Sequence, residues 1–219
     1  MKKTVLTIIL AVITVGFIFG QSGTIRDLTG EVELKHEGSS SFVRASAGDT
    51  VTSNTIISTG FRSSAIIVIG SSTITVTPLT RLSLAEIQSA ENSEELKLNL
   101  QAGRVRLDVN PPAGIRPTVT VQSPSATASV RGTSFEMDAD SIVVTEGTVV
   151  LTGTAGLPVL VTGGNATFVS ADGLAADPVD VAISALAPSA PVGAPPSETV
   201  TSSSASESAT SLTPDIIYN

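Results

Sequence analysis

The chain has 219 residues, with 12 Lys and Arg against 20 Asp and Glu, a formal charge of −8, no cysteine and no tryptophan. Without cysteine there is no thiol chemistry and no thiolate metal site, and stability has to come from packing alone. An acidic chain with 3% aromatic residues also lacks the groups that neutralise phosphates and stack bases or sugars, so nucleic acid is not an expected partner.

Residues 1–20, "MKKTVLTIILAVITVGFIFG", set Lys2 and Lys3 ahead of an apolar run from Val5 to Phe19. A charged start and a short apolar stretch read as a secretory signal peptide. The run is short for a membrane span, which takes roughly 20 apolar residues. Ile18 is large for the position two before a cleavage point at Gly20, so an uncleaved anchor is the alternative. At the other end, residues 184–219 are rich in Pro, Ser and Thr and close on Ile216, Ile217 and Tyr218. They hold little apolar surface to offset the entropy of ordering, and are expected to be a disordered tail. What remains, residues 23–180, is one domain's worth of chain.

That domain reads as strands throughout. Ile25, then Val32 and Leu34 after Gly30, begin the series. The Gly48-Asp49 pair ends the next run, with Asp49 expected to accept a hydrogen bond from its own backbone. Ala65-Ile67-Ile69, Ile74-Val76 and Leu82-Leu84 follow as alternating stretches, as half-buried strands require. The stretch "EIQSAENSEELKLNL" carries helix formers and acids, and reads as a solvated loop running into a strand at Leu96, Leu98 and Leu100. Val105-Leu107-Val109 comes after Gly103, then a proline-fixed loop, "NPPAGIRP". Two Val-rich runs meet at Glu146-Gly147, a tight turn or bend. Turn signals recur every 8 to 12 residues, which suits a twisted solenoid-like stack of short strands, or a β-sandwich.

One stretch breaks the alternation. In "SPSATASVRGTSFEM", Ala126, Ala128 and Val130 share one face, while Phe135 and Met137 fall in the opposite phase. The slip lies at Arg131-Gly132-Thr133. A glycine there can bulge or turn a corner and re-aim the following strand, returning Phe135 and Met137 to the core. Arg131 beside it is read two ways. Its fork latches a carboxylate such as Asp49, Glu136 or Glu146, or it faces solvent with its stem over apolar surface.

The order of these pieces resembles the FecR domain family of bacterial envelope proteins. The resemblance runs through "GEVEL", "AGDTVTSNTIISTGFRSSAIIVI" with Gly48 and Asp49, "LNLQAGRVRLDV" with Gly103, and "VTEGTVVLT" with Gly147. Its most specific piece is the run Pro124, Ala126, Ala128, Val130, Arg131, Gly132, Thr133 and Phe135. Gly70 is followed by two serines where the family often shows an Asp-Gly-Ser turn. The resemblance implies an all-β envelope domain without catalysis or cofactor. The family's namesakes pass a signal from an outer-membrane transporter to a cytoplasmic sigma factor through a cytoplasmic segment. Here only Met1, Lys2 and Lys3 precede the apolar run, so that role is not carried over.

No constellation of reactive groups stands out. His36, beside Glu37, reads as an exposed residue before the Gly38 turn. Glu136, Asp138 and Asp140 alternate and read as a solvated acidic face rather than a metal site. The expected function is that of a non-enzymatic exported protein of the periplasm or cell envelope. It would bind or scaffold a protein or a cell-wall component, and meet the membrane only if residues 1–20 are retained. A membrane-anchored signalling regulator is the alternative.

Overall fold

A computed structural model of the chain describes residues 22–90 and 92–178. The expected signal peptide and tail lie outside the described residues. Seventeen strands occupy the rest: β1 (Gly23–Thr29), β2 (Val32–Lys35), β3 (Val43–Arg44), β4 (Thr50–Val51), β5 (Thr55–Thr59), β6 (Ser64–Ile69), β7 (Ser72–Val76), β8 (Arg81–Ala90), β9 (Ser93–Ala102), β10 (Val105–Val109), β11 (Arg116–Gln122), β12 (Ala126–Val130), β13 (Ser134–Met137), β14 (Ser141–Glu146), β15 (Thr148–Gly153), β16 (Pro158–Thr162) and β17 (Ala166–Phe168).

They form two open sheets. One runs β17-β14-β13-β10-β7-β6-β1-β4, the other β16-β15-β12-β11-β9-β8-β5-β2-β3. Order along each sheet follows order along the chain almost without exception, as in a coil. The two-sheet, largely antiparallel construction is that of a sandwich. Among the described strands, only β9 and β11 pair in parallel. Strand after strand shows the alternation that drew the prediction, and both inner faces contribute to one apolar cluster. Ile67, Ile74, Leu107 and Phe135 of the first sheet join Ile57, Leu84, Leu98 and Val121 of the second. Burying each such side chain favours the stack by roughly 1.5–3 kcal/mol.

The acid-rich stretch from Glu86 is not a loop. β8 and β9 form a hairpin paired out to Ala90 and Ser93, with a register shift between Leu84 and Glu86. Ile87, Leu96 and Leu98 point into the core, while Glu86 and Glu95 gather around Lys97 on the outside. Opposite charges facing each other across strands remove the repulsion that acids alone would bring. The inward apolar residues then decide the conformation.

Over the described residues the chain passes from one sheet to the other ten times. Every passage holds one residue with positive φ, between 55° and 92°: Gly30, Gly48, Asn54, Arg62, Leu79, Gly103, Gly114, Gly132, Gly147 and Gly164. A strand that switches sheets has to change direction within a few residues, and corners of two-sheet proteins are made by such local bends. The hydrophobic phase slip in "SVRGTSFEM" is one of these corners. β12 belongs to the second sheet and β13 to the first, so Ala128 and Phe135 face the same core from opposite sides. A register irregularity follows at once, between Ser134 and Phe135.

Candidate functional site

The corners are built in facing pairs. Ser63, Thr80 and Thr133 are all buried, each directly after a positive-φ residue, Arg62, Leu79 or Gly132. Each hydroxyl donates to the carbonyl two residues back: Ser63 to Phe61 at 3.2 Å, Thr80 to Pro78 at 3.3 Å and Thr133 to Arg131 at 3.3 Å. Each also reaches the neighbouring glycine corner. Ser63 Oγ accepts the Glu31 N–H at 2.8 Å, and Thr80 Oγ1 accepts the Arg104 N–H at 3.0 Å. Thr133 Oγ1 instead donates to the Thr148 carbonyl at 3.1 Å. The glycine preceding each partner lies against the same hydroxyl. A Cβ on Gly103 would sit 2.3 Å from Thr80 Oγ1, and one on Gly147 2.8 Å from Thr133 Oγ1. Buried polar groups need such partners, and no buried side-chain polar atom among the described residues lacks one.

This places the nine residues singled out in the sequence. Arg131, Gly132, Thr133 and Gly147 meet in one pair of corners. Gly103 belongs to another, against Thr80, which sequence reasoning did not select. Gly48 and Asp49 form a third corner, where the Asp49 carboxylate accepts the Ser46 N–H at 2.8 Å. Phe135 is buried between Leu107 of β10 and Val144 of β14. Pro124 is exposed at the tip of the β11–β12 hairpin. Its neighbour Ser123 ties that tip to the other sheet by donating to the Ala139 carbonyl at 2.6 Å.

Arg131 is exposed, and no ion pair among the described residues involves it, so the latch to Asp49, Glu136 or Glu146 is not made. Glu136 is held instead by Arg104. Its guanidinium donates to Glu136 and Asp138, each at 3.0 Å. With Thr77, Pro78, Leu79 and Gly103 these groups line an open surface pocket of about 480 Å³. Leu79 is 62% exposed at its rim. Burial pushes the Asp138 carboxyl up, but hydrogen bonds from the Ser141 hydroxyl, the Ser141 and Asp140 N–H groups and Arg104 outweigh it and hold it below the usual carboxylate range. Two of the three alternating acids are thus engaged with a cation of the chain itself. His36 is exposed, and Glu37 accepts from the Asn54 amide at 3.0 Å.

Two further features were not read from the sequence. Glu94, on β9, accepts from the Ser71 N–H at 2.9 Å and the Ser71 hydroxyl at 2.6 Å. A carboxylate from the opposite sheet therefore serves the turn at Gly70, which has none of its own. The second is a groove lined by Pro111, Ile115, Arg116, Pro117, Arg131 and Gly132. Its residues come from the proline loop and from the Gly132 corner, which are far apart in sequence.

Fold and corners together define a two-sheet all-β domain in which buried Ser63, Thr80 and Thr133 serve its own crossings. Residues 55–154 match the family described as FecR protein. The matched stretch takes in the Arg62, Leu79, Gly103, Gly132 and Gly147 corners. Among solved structures, the chain is similar to two crystal structures of a candidate anti-sigma factor from Parabacteroides distasonis ATCC 8503. They are 16% identical, with TM-scores of 0.45 and 0.44. Each match covers 58% of this chain and 62% of that one. No curated protein matches the chain.

Proposed function

We infer that the protein is a non-catalytic, exported FecR-domain module that binds or scaffolds a protein or a cell-wall component in the bacterial envelope. The observation that carries this reading is the FecR domain itself, spanning residues 55–154. The polar chemistry around it supports the reading. The hydroxyls of Ser63, Thr80 and Thr133 bond backbone at corners, and the paired charges of Lys97, Arg104 and Arg106 are balanced by surface carboxylates. These are structural uses of groups that an active site would instead hold poised toward a substrate.

Cell fractionation joined to affinity capture tests it. The tagged chain should leave the cytoplasm and either co-sediment with purified cell wall or cross-link to an envelope protein. A chain found only in the cytoplasm would overturn the reading. The family also supports a membrane-anchored signalling regulator. The two are separated by the intact mass of the exported protein: loss of residues 1–20 favours the free module, and their retention favours the anchored regulator.

A further inference from the structure

The outermost strands of the two sheets are not alike. β3 and β4 are two residues long each, too short to template another strand. β17 is covered on its outer side, where the Ala176 N–H donates to the Phe168 carbonyl at 2.9 Å and Val169 bridges to Ala175. β16 is five residues long, and among the described residues it pairs with β15 alone. Charged side chains usually blunt such an edge, yet no charged residue stands between Gly147 and Asp172. Leu160, at the middle of β16, is 61% exposed, and Val150 beside it is exposed as well.

The backbone of this edge has a definite pattern. The Gly163 N–H donates to the Gly147 carbonyl at 2.9 Å. Facing pairs along an antiparallel ladder alternate between bonded and unbonded, so Val161 and Val159 turn their backbone groups toward Val149 and Leu151 of β15. Pro158, Leu160 and Thr162 turn theirs outward. Pro158 offers only a carbonyl, and Leu160 offers both an N–H and a carbonyl. Thr162 offers an N–H, because its carbonyl already accepts the Asn165 N–H at 3.1 Å and the Asn165 amide at 3.3 Å. This set complements itself. With a second β16 antiparallel to the first and Leu160 opposite Leu160, each Leu160 N–H meets the other copy's carbonyl. Each Thr162 N–H then meets the other copy's Pro158 carbonyl. The donor that Pro158 lacks falls opposite the Thr162 carbonyl that Asn165 has taken. We propose that the protein pairs with a second copy of itself through β16, about a two-fold axis at Leu160, joining their second sheets into one. Charge favours this partner: copies with a formal charge of −8 repel each other, and an uncharged edge lets them meet without like charges face to face. The consequence is that every other surface of the domain is presented twice, which raises avidity for a repetitive partner.

Light scattering of the full-length protein should show its mass double as concentration is raised. Leu160→Lys and Leu160→Glu should each abolish the doubling, because residue 160 would face its own charge across the axis. Both variants should keep the far-UV circular dichroism of the folded domain, since the Leu160 side chain is exposed. Equimolar mixing of the two variants should restore the dimer, as only a residue that faces itself can be rescued by the opposite charge at the same position. A parent that stays monomeric at every concentration would overturn the proposal. So would a dimer that survives both substitutions, or two monomeric variants that do not pair on mixing.

Discussion

The Gly103 and Gly132 corners look alike in sequence and differ in what holds them. Both carry the chain from the second sheet to the first through a left-handed glycine, with φ of 84° and 60°. At Gly103 a Cβ would lie 2.3 Å from Thr80 Oγ1, 2.5 Å from Thr80 Cα and 2.7 Å from the Leu79 carbonyl oxygen. At Gly132 the nearest atoms are Pro111 Cγ and Cδ, both at 3.6 Å, an ordinary contact. One glycine is demanded by space and by backbone angle, the other by angle alone. Arg62 and Leu79 show that an L-residue can hold the same conformation in this fold, at 55° and 56°. The small alanines of β12 therefore do not make the Gly132 corner a crowded one. A valine at 132 would be strained by its φ rather than by a clash with the inner layer.

The hydroxyls extend the contrast. Thr80 and Thr133 occupy equivalent places, but only Thr80 accepts a backbone N–H, that of Arg104. Thr80→Val keeps the shape and leaves that donor unpaired, with an expected loss of about 2 kcal/mol in chemical denaturation. Thr133→Val deprives only carbonyl oxygens, which tolerate under-satisfaction better. It should cost about 1 kcal/mol, and equal losses would blur the distinction between the corners.

A smaller effect concerns acid. Asp138 is held below its ordinary pKa in the folded protein, so its contribution is complete above the unfolded value. It is lost as pH falls below the ordinary carboxylate range and through the depressed folded value. Because the Arg104 cluster is partly exposed, the contribution should stay below about 1 kcal/mol. Asp138→Asn should flatten the fall in melting temperature below about pH 4 relative to the parent. An unchanged acid slope would place the sensitivity elsewhere. Smallest of all, Arg131→Ala should shift the denaturant midpoint by the equivalent of about 0.5 kcal/mol or less, since no ion pair is lost.

Much of the frame was readable beforehand because alternation is a local signal. Val105, Leu107 and Val109 announce their strand unaided, and the slip after Val130 marks a corner through its phase alone. What escaped depends on neighbours remote in sequence. Thr80 looks like one more β-forming residue until the Gly103 corner lies against it. Leu79 gives no sign that it will adopt a left-handed backbone, since glycine is the residue that signals such positions. The acids of β8 and β9 suggested a loop because their countercharge, Lys97, becomes a partner of Glu86 only through strand register. Arg131 drew attention from its place beside the slip, but the carboxylates went to Arg104, which the fold brings to Glu136 and Asp138.

The corner account is tested most directly by the denaturant midpoints of Gly103→Ala and Gly132→Ala, measured side by side. Gly103→Ala adds overpacking against Thr80 to left-handed strain, and should lose about 3 kcal/mol. Gly132→Ala carries the strain alone, and should lose about 1 kcal/mol. Equal losses at the two positions, or a larger one at Gly132, would contradict the claim that packing against the facing hydroxyl, and not backbone angle alone, fixes the glycine at the crossing.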